Sequence, residues 1–177
     1  PLKPTGLHLI DGSFSATCSD MSPSIDIERF ARHIVLREIG GPGQQALGRA
    51  RVVIIGAGGL GAPASLYLTA AGVGQITLID SDTVSLDNLQ RQILFRTDNV
   101  GASKVETGAA ALRALNPGTQ VVPVQTMIDT GNATELLAGA DLVLDGCDNF
   151  ETRFAVNAAS RALGIPLISG ALGRWDG

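Results

Sequence analysis

The chain has 177 residues, enough for one domain with a sizeable core, and it is 45% hydrophobic, 17% charged and carries 22 glycines. Its net charge of −4 argues against wholesale binding of nucleic acid, and no apolar run is long enough to span a membrane. Two cysteines, Cys18 and Cys147, do not make a disulfide framework, which fits a reducing compartment such as the cytoplasm.

Residues 1–24 are rich in Ser, Pro, Thr and Gly without sustained periodicity, so a flexible tail is expected there, with Met21 a candidate natural start. From Ile25 to Glu38, apolar residues at Ile27, Phe30, Ile34 and Val35 have helical spacing, and Gln44 to Leu47 reads as a short second helix. Strands and helices then alternate. Strand Val52–Ile55 leads to helix Leu60–Ala71, which Gly72 and Gly74 end, and strand Ile76–Ile79 follows. Ser103 to Leu115 is a predicted helix stopped by Asn116-Pro117-Gly118. Pro123 places strand Val121–Val124 near a sheet edge, because proline cannot donate to a ladder on both sides. A short capped helix is expected from Asn132 to Leu137, a central strand at Leu142–Leu144, a helix from Asn149 to Leu163 and a strand at Pro166–Ser169. This alternation predicts an α/β fold: a Rossmann-like, doubly wound, mainly parallel sheet with helices on both faces, over residues 25–177. Nothing resembling a closing helix follows the last strand before Trp175-Asp-Gly177, so the C-terminal part of the domain is expected to be missing.

The first strand runs into Gly56-Ala-Gly-Gly-Leu-Gly61, a G-x-G-x-x-G pattern. Glycine permits the tight turn and the approach of bare backbone to a phosphate, and the helix that follows points unpaired N–H groups at the anion. Gly56, Gly58, Gly59, Leu60 and Gly61 are therefore cofactor-binding candidates. Asp80 ends the next strand, where a ribose hydroxyl needs an acceptor. A nicotinamide or flavin dehydrogenase is the nearest reading of these residues alone.

The connection after Asp80 argues for something else. Ser81-Asp-Thr-Val-Ser-Leu-Asp-Asn-Leu-Gln-Arg-Gln92 is longer and more polar than a dehydrogenase needs. It supplies Asp82, Asn88, Arg91 and Gln92 beside the nucleotide, and Lys104 opens the following helix. Arg91 as a fork and Lys104 as a point charge would neutralise a triphosphate; as isolated cations they would be solvated surface residues. Asp148, past the end of the strand at Leu142–Leu144, is the metal candidate, because Mg²⁺ prefers one or two carboxylates completed by phosphate oxygens and water. Asp148 and Asn149 are both also candidates to cap the next helix. Asp145 reads as structural. Cys147, flanked by acids that raise a thiol pKa, reads as a packing residue, and the lone helical His33 as a surface or packing residue.

Taken in order, Arg29-Phe-Ala-Arg-His-Ile-Val-Leu-Arg37, Gly56–Gly61, Leu78-Ile-Asp80, Asp87-Asn-Leu-Gln-Arg-Gln92, Gly101-Ala-Ser-Lys104 and Asp148-Asn-Phe-Glu-Thr-Arg153 resemble the ubiquitin-activating-enzyme-like superfamily. Within it they are most similar to the bacterial adenylyltransferases of the ThiF/MoeB type, which serve molybdopterin synthase or thiamine biosynthesis. The resemblance covers residue 25 to the end. It implies binding of ATP–Mg²⁺ and adenylation of the C-terminal glycine of a small β-grasp sulfur-carrier protein, with release of pyrophosphate. It implies Gly59 on the phosphate loop, Asp80 on the ribose, Asn88, Arg91 and Lys104 on the phosphates and Asp148 on Mg²⁺. Gln92 and Asn149 match motif positions. Arg32 matches an arginine that reaches into the partner subunit's site of a homodimer. The sequence departs from the pattern in two ways. It lacks the paired C-x-x-C motifs that hold structural zinc in most bacterial members, so zinc is expected only in a C-terminal region outside this chain. Asp87 also stands where a small residue often precedes Asn88. A non-catalytic scaffold of the same superfamily is the remaining alternative.

Overall fold

A computed structural model describes residues 25–173. The expected tail at 1–24, with Cys18 and Met21, and the terminal Trp175–Gly177 lie outside them.

Five runs of mostly branched and apolar side chains form one parallel sheet: β1 (Arg51–Ile55), β2 (Gln75–Ile79), β3 (Gln120–Val124), β4 (Leu142–Asp145) and β5 (Leu167–Ser169), in the order β3-β2-β1-β4-β5. The order reverses direction at β1, so β1 and β4 leave the sheet on opposite sides of a crevice at their carboxyl ends. β1 shows why its sequence is apolar without alternation. Val52 and Ile54 face one core with Ile76, Leu78 and Leu112, whereas Val53 and Ile55 face a second core with Ile79, Val143 and Val156. Both faces are covered by helices, as parallel sheets require. Each fully buried Ile or Leu contributes about 2–3 kcal/mol. Pro123 sits in β3, which is an edge strand, as its chemistry predicts.

Among the described residues six α-helices flank the sheet: α1 (Ile27–Ile34), α2 (Gly40–Arg49), α3 (Gly61–Ala70), α4 (Lys104–Leu115), α5 (Ala133–Leu137) and α6 (Phe150–Leu163). α3 and α4 belong to the first core, α5 and α6 to the second. Short 3-10 turns at Leu86–Asn88 and Thr97–Asn99 fold the long connection between β2 and α4. His33 Nδ1 lies 2.9 Å from Gln44 Oε1, and Gln44 Nε2 donates to Ala71 O, so His33 ties α1 to α2 and the end of α3.

Four local expectations are corrected. α1 stops at Ile34 rather than Glu38, and Val35, counted in its apolar stripe, is 76% exposed. α2 begins at Gly40, well before Gln44, because Pro42 falls in the first helical turn, where its missing N–H breaks no intrahelical bond. Asn132 does not cap α5; its Oδ1 accepts from Asp129 N instead. Asp145 is the last residue of β4, paired in register with Ile55 and Ser169.

Candidate nucleotide site

The three glycines of G-x-G-x-x-G have different jobs. Gly56 takes φ +85°, and a Cβ there would lie 3.2 Å from the Gly146 carbonyl carbon. At Gly61 a Cβ would sit 1.7 Å from Gly56 O, so only glycine lets α3 start this close to the end of β1. Gly58 is open: the nearest atom to an added Cβ is Gln92 Nε2 at 3.8 Å. At neighbouring Gly59 the nearest is Arg91 Cδ at 3.6 Å. Gly56 and Gly61 therefore close the turn, while Gly58 and Gly59 leave backbone bare toward a cleft. No side chain caps α3, so its N-terminal N–H groups have no such acceptor to compete with an anion.

The cleft has a volume of about 690 Å³ and lies at the carboxyl ends of the strands. The sequence-predicted Gly56, Gly58, Gly59, Leu60, Asp80, Asp82, Asn88, Arg91, Gln92, Lys104, Asp148 and Asn149 all line it. Gly61 lies beneath them as the packing glycine. Arg32 does not line it; it stands exposed on α1.

Asp80 fastens the glycine loop to the end of β2. Its Oδ2 accepts from Ala57 N at 2.7 Å and its Oδ1 from Asp82 N at 2.8 Å. Each carboxylate oxygen keeps a second acceptor site for a ligand hydroxyl. Lys104 is 5% exposed, and its Nζ sits 2.8 Å from Asp82 Oδ2. Burying an ammonium without a partner would be costly, and Asp82 supplies that partner at the cleft. Arg91 is exposed, with its stem over Gly59 and Nη1 3.4 Å from Asp87 O, and it makes no ion pair among the described residues. Asn88 Nδ2 donates to Asp87 Oδ1 at 3.2 Å, so the unusual acid at position 87 holds the amide of Asn88. Gln92 is 3% exposed, and its Oε1 is buried without a hydrogen-bond partner among the described residues.

Competition for the α6 cap is resolved by geometry. Asn149 Oδ1 accepts from Glu151 N at 2.8 Å and Thr152 N at 3.4 Å. Asp148 is exposed and has no hydrogen bond or ion pair among the described residues. Asp145 is engaged on both oxygens, by Cys147 N, Ser169 Oγ and the Arg153 guanidinium, as a structural acid should be. The Cys147 thiol is pushed up from about 9 to about 12, first by burial and then by the Asp145 carboxylate. Acids were the cause read from the sequence, and burial is the larger one.

Two groups of cleft residues escaped the sequence reading. Arg153 donates to Cys147 O, Gly170 O and Ser169 Oγ, clamping the ends of β4 and β5 together. Its place one turn beyond the Asn149 cap was the available signal. Thr126, Met127 and Ile128 also line the cleft, just beyond the carboxyl end of β3. No residue type there suggests chemistry; only strand order marks it.

A sheet of this order with a glycine-loop cleft at its crevice defines a Rossmann-like nucleotide-type domain. The comparisons narrow it. The ThiF family model matches residues 30–177, and the chain belongs to that family. It is 46% identical over 160 residues to the SAMP-activating enzyme E1 of Haloferax volcanii, covering 89% of this chain and 59% of the relative. It is 48% identical over 149 residues to the molybdopterin-synthase adenylyltransferase of Escherichia coli, covering 84% of this chain and 60% of the relative. The E. coli tRNA N6-threonylcarbamoyladenosine dehydratase TcdA, solved in complex with ATP, superposes with a TM-score of 0.79 at 34% identity, over 85% of this chain and 62% of that one. The chain thus spans about three fifths of the length of these two curated relatives. No helix among the described residues is long and apolar enough to cross a membrane.

Proposed function

We propose that this chain carries the ATP site of an enzyme that adenylates the C-terminal glycine of a small β-grasp sulfur-carrier protein and releases pyrophosphate. The observation that carries the reading is the convergence in one cleft of a bare glycine loop, Arg91, Lys104 and the unengaged carboxylate of Asp148. Similarity to proteins named adenylyltransferases supports it.

The carrier carboxylate is ionised at neutral pH, so it attacks the α-phosphorus of ATP without a general base. A new carboxylate O–P bond forms, the bridging bond between α- and β-phosphate breaks, and its electron pair leaves with pyrophosphate. The protein's task is to bring two anions together and to spread the charge of the transition state. Arg91 forks onto phosphate oxygens, Lys104 adds a fixed charge, and backbone N–H groups of Gly58 and Gly59 face the same anion. Asp148 is the residue that would hold Mg²⁺. The exposed carboxylate of Asp148 at the cleft suits an ion whose other ligands are phosphate oxygens and water. When bound, Mg²⁺ would supply positive charge to the phosphates.

We place Arg32 in the partner's site of a homodimer. It is not among this chain's own cleft-lining residues, and it sits on a helix whose Ile27 is 70% exposed and which is followed by exposed Val35 and Leu36. The test is ATP–pyrophosphate exchange with a sulfur-carrier protein. Arg91→Ala and Asp148→Ala are each expected to lower exchange by about 100-fold or more. Unchanged exchange in either variant, or tighter binding of NAD than of ATP–Mg²⁺ in calorimetry, would overturn the assignment.

A further inference from the structure

The segment after β3 should fray, because β3 is an edge strand whose sole ladder partner among the described residues is β2. Instead it is tied from three directions. Thr152, 4% exposed on the first turn of α6, donates from Oγ1 to Ile128 O at 3.1 Å. Asn132 Nδ2 donates to Met127 O at 2.9 Å. The Ile128 side chain, 3% exposed, packs into the core shared with α5 and α6. The same first turn of α6 is capped by Asn149, next to Asp148.

The sheet assigns this platform a ligand part. The glycine loop follows β1, Asp80 follows β2 and Thr126–Ile128 follow β3, with strands in the order β3-β2-β1. A nucleotide with phosphates on the glycine loop and ribose at Asp80 therefore extends its base toward Thr126–Ile128. Ile128 presents mainly backbone there, since its side chain is committed to the core, whereas Met127 is 55% exposed and its carbonyl is held by Asn132. Backbone groups read a purine by fixed donor and acceptor positions. Adenine offers an amino donor where guanine offers a carbonyl acceptor.

We propose that Thr152 is a positioning residue for the nucleotide base: its hydroxyl fixes the Met127–Ile128 backbone, and that fixed backbone sets the preference for adenine over guanine. This rests on the reading of the cleft as an ATP site. Thr152 itself lines the cleft, and its hydroxyl acts on the base through the Ile128 carbonyl it holds.

The test uses the full-length protein, with ATP and GTP as probes, in calorimetry and in pyrophosphate exchange. Thr152→Val keeps the shape of the side chain and removes the hydroxyl. It is expected to raise the ATP Kd and KM about five- to tenfold, leave kcat within about twofold, and shrink the ATP:GTP preference. Thr152→Ser restores both. Ser160→Ala, which removes another buried hydroxyl of α6, leaves both unchanged and reports any general effect of altering the helix. Asn132→Ala, at a less buried position, is expected to act in the same direction and stands in if Thr152→Val does not fold. An unaltered Kd and ATP:GTP ratio in the folded Thr152→Val protein overturns the proposal alone. Failure of the unsubstituted protein to bind ATP overturns the underlying reading and this proposal with it.

Discussion

Asp148 and Asn149 are neighbours with the same side-chain length and opposite duties. The amide takes the α6 cap with two backbone N–H groups, and so the carboxylate stays unengaged at the cleft. Cys147, one residue earlier, is held inert. Its thiol stays protonated up to about pH 12 because burial and Asp145 disfavour the thiolate. Iodoacetamide at pH 8 is expected to leave Cys147 unmodified in the folded protein and to alkylate it after denaturation, read by mass spectrometry of its peptide. The linkage has a definite sign. The folded pKa is raised, so the contribution to stability is full below about pH 9 and is lost as pH climbs toward 12. Rapid alkylation of the folded protein at pH 8 would show that the thiol is neither buried nor shielded by charge.

At the scale of elements, the β1–loop–α3 unit separates folding from binding within a single motif. Gly61→Ala drives a Cβ to 1.7 Å from Gly56 O, a backbone atom that cannot swing aside. That variant is expected to lose about 4 kcal/mol or more and to be largely unfolded in a thermal melt. Gly58→Ala meets nothing nearer than 3.8 Å. It is expected to keep the melting temperature within a few degrees and to weaken ATP binding at least tenfold, because the methyl occupies space that a phosphate needs. Equal thermal losses in the two variants would refute this division of labour. The connection from β2 to α4 works by a similar separation: Asp82 pairs with the buried Lys104, and Arg91 has no carboxylate partner among the described residues.

At the scale of the whole molecule, the cleft is lined by every predicted site residue of this chain except Gly61 and Arg32. Symmetric dimers are the commonest oligomers, and a residue donated across such an interface can be tested by mixing subunits. Arg32→Ala and Asp148→Ala proteins are each expected to be nearly inactive. Co-refolded in equal amounts, half of the dimers are mixed and each of those has one intact site, so about a quarter of the unsubstituted activity returns. No recovery on mixing would place Arg32 within its own subunit or outside the site. The exposed apolar residues Ile27, Val35 and Leu36 beside Arg32 are consistent with a face that meets another chain.

Much of this was legible in the amino-acid order alone. The doubly wound fold followed from alternating apolar runs and helical spacings, because a strand buried on both faces reads as uninterrupted Val and Ile. The edge position of β3 followed from Pro123, and the cleft followed from glycines, acids and cations that share the carboxyl ends of strands. Helix limits were less legible: Gly40–Gly43 looks like a breaker until Pro42 is seen in a first turn. Tertiary structure alone decided which of Asp148 and Asn149 caps α6, that Asp82 pairs with Lys104 across 22 positions, and that Thr152 holds the backbone of Ile128 from 24 positions away. Local order sets what each residue can do. Which partner it meets depends on loops that the sheet brings to one end, and that meeting has no period in the sequence to betray it.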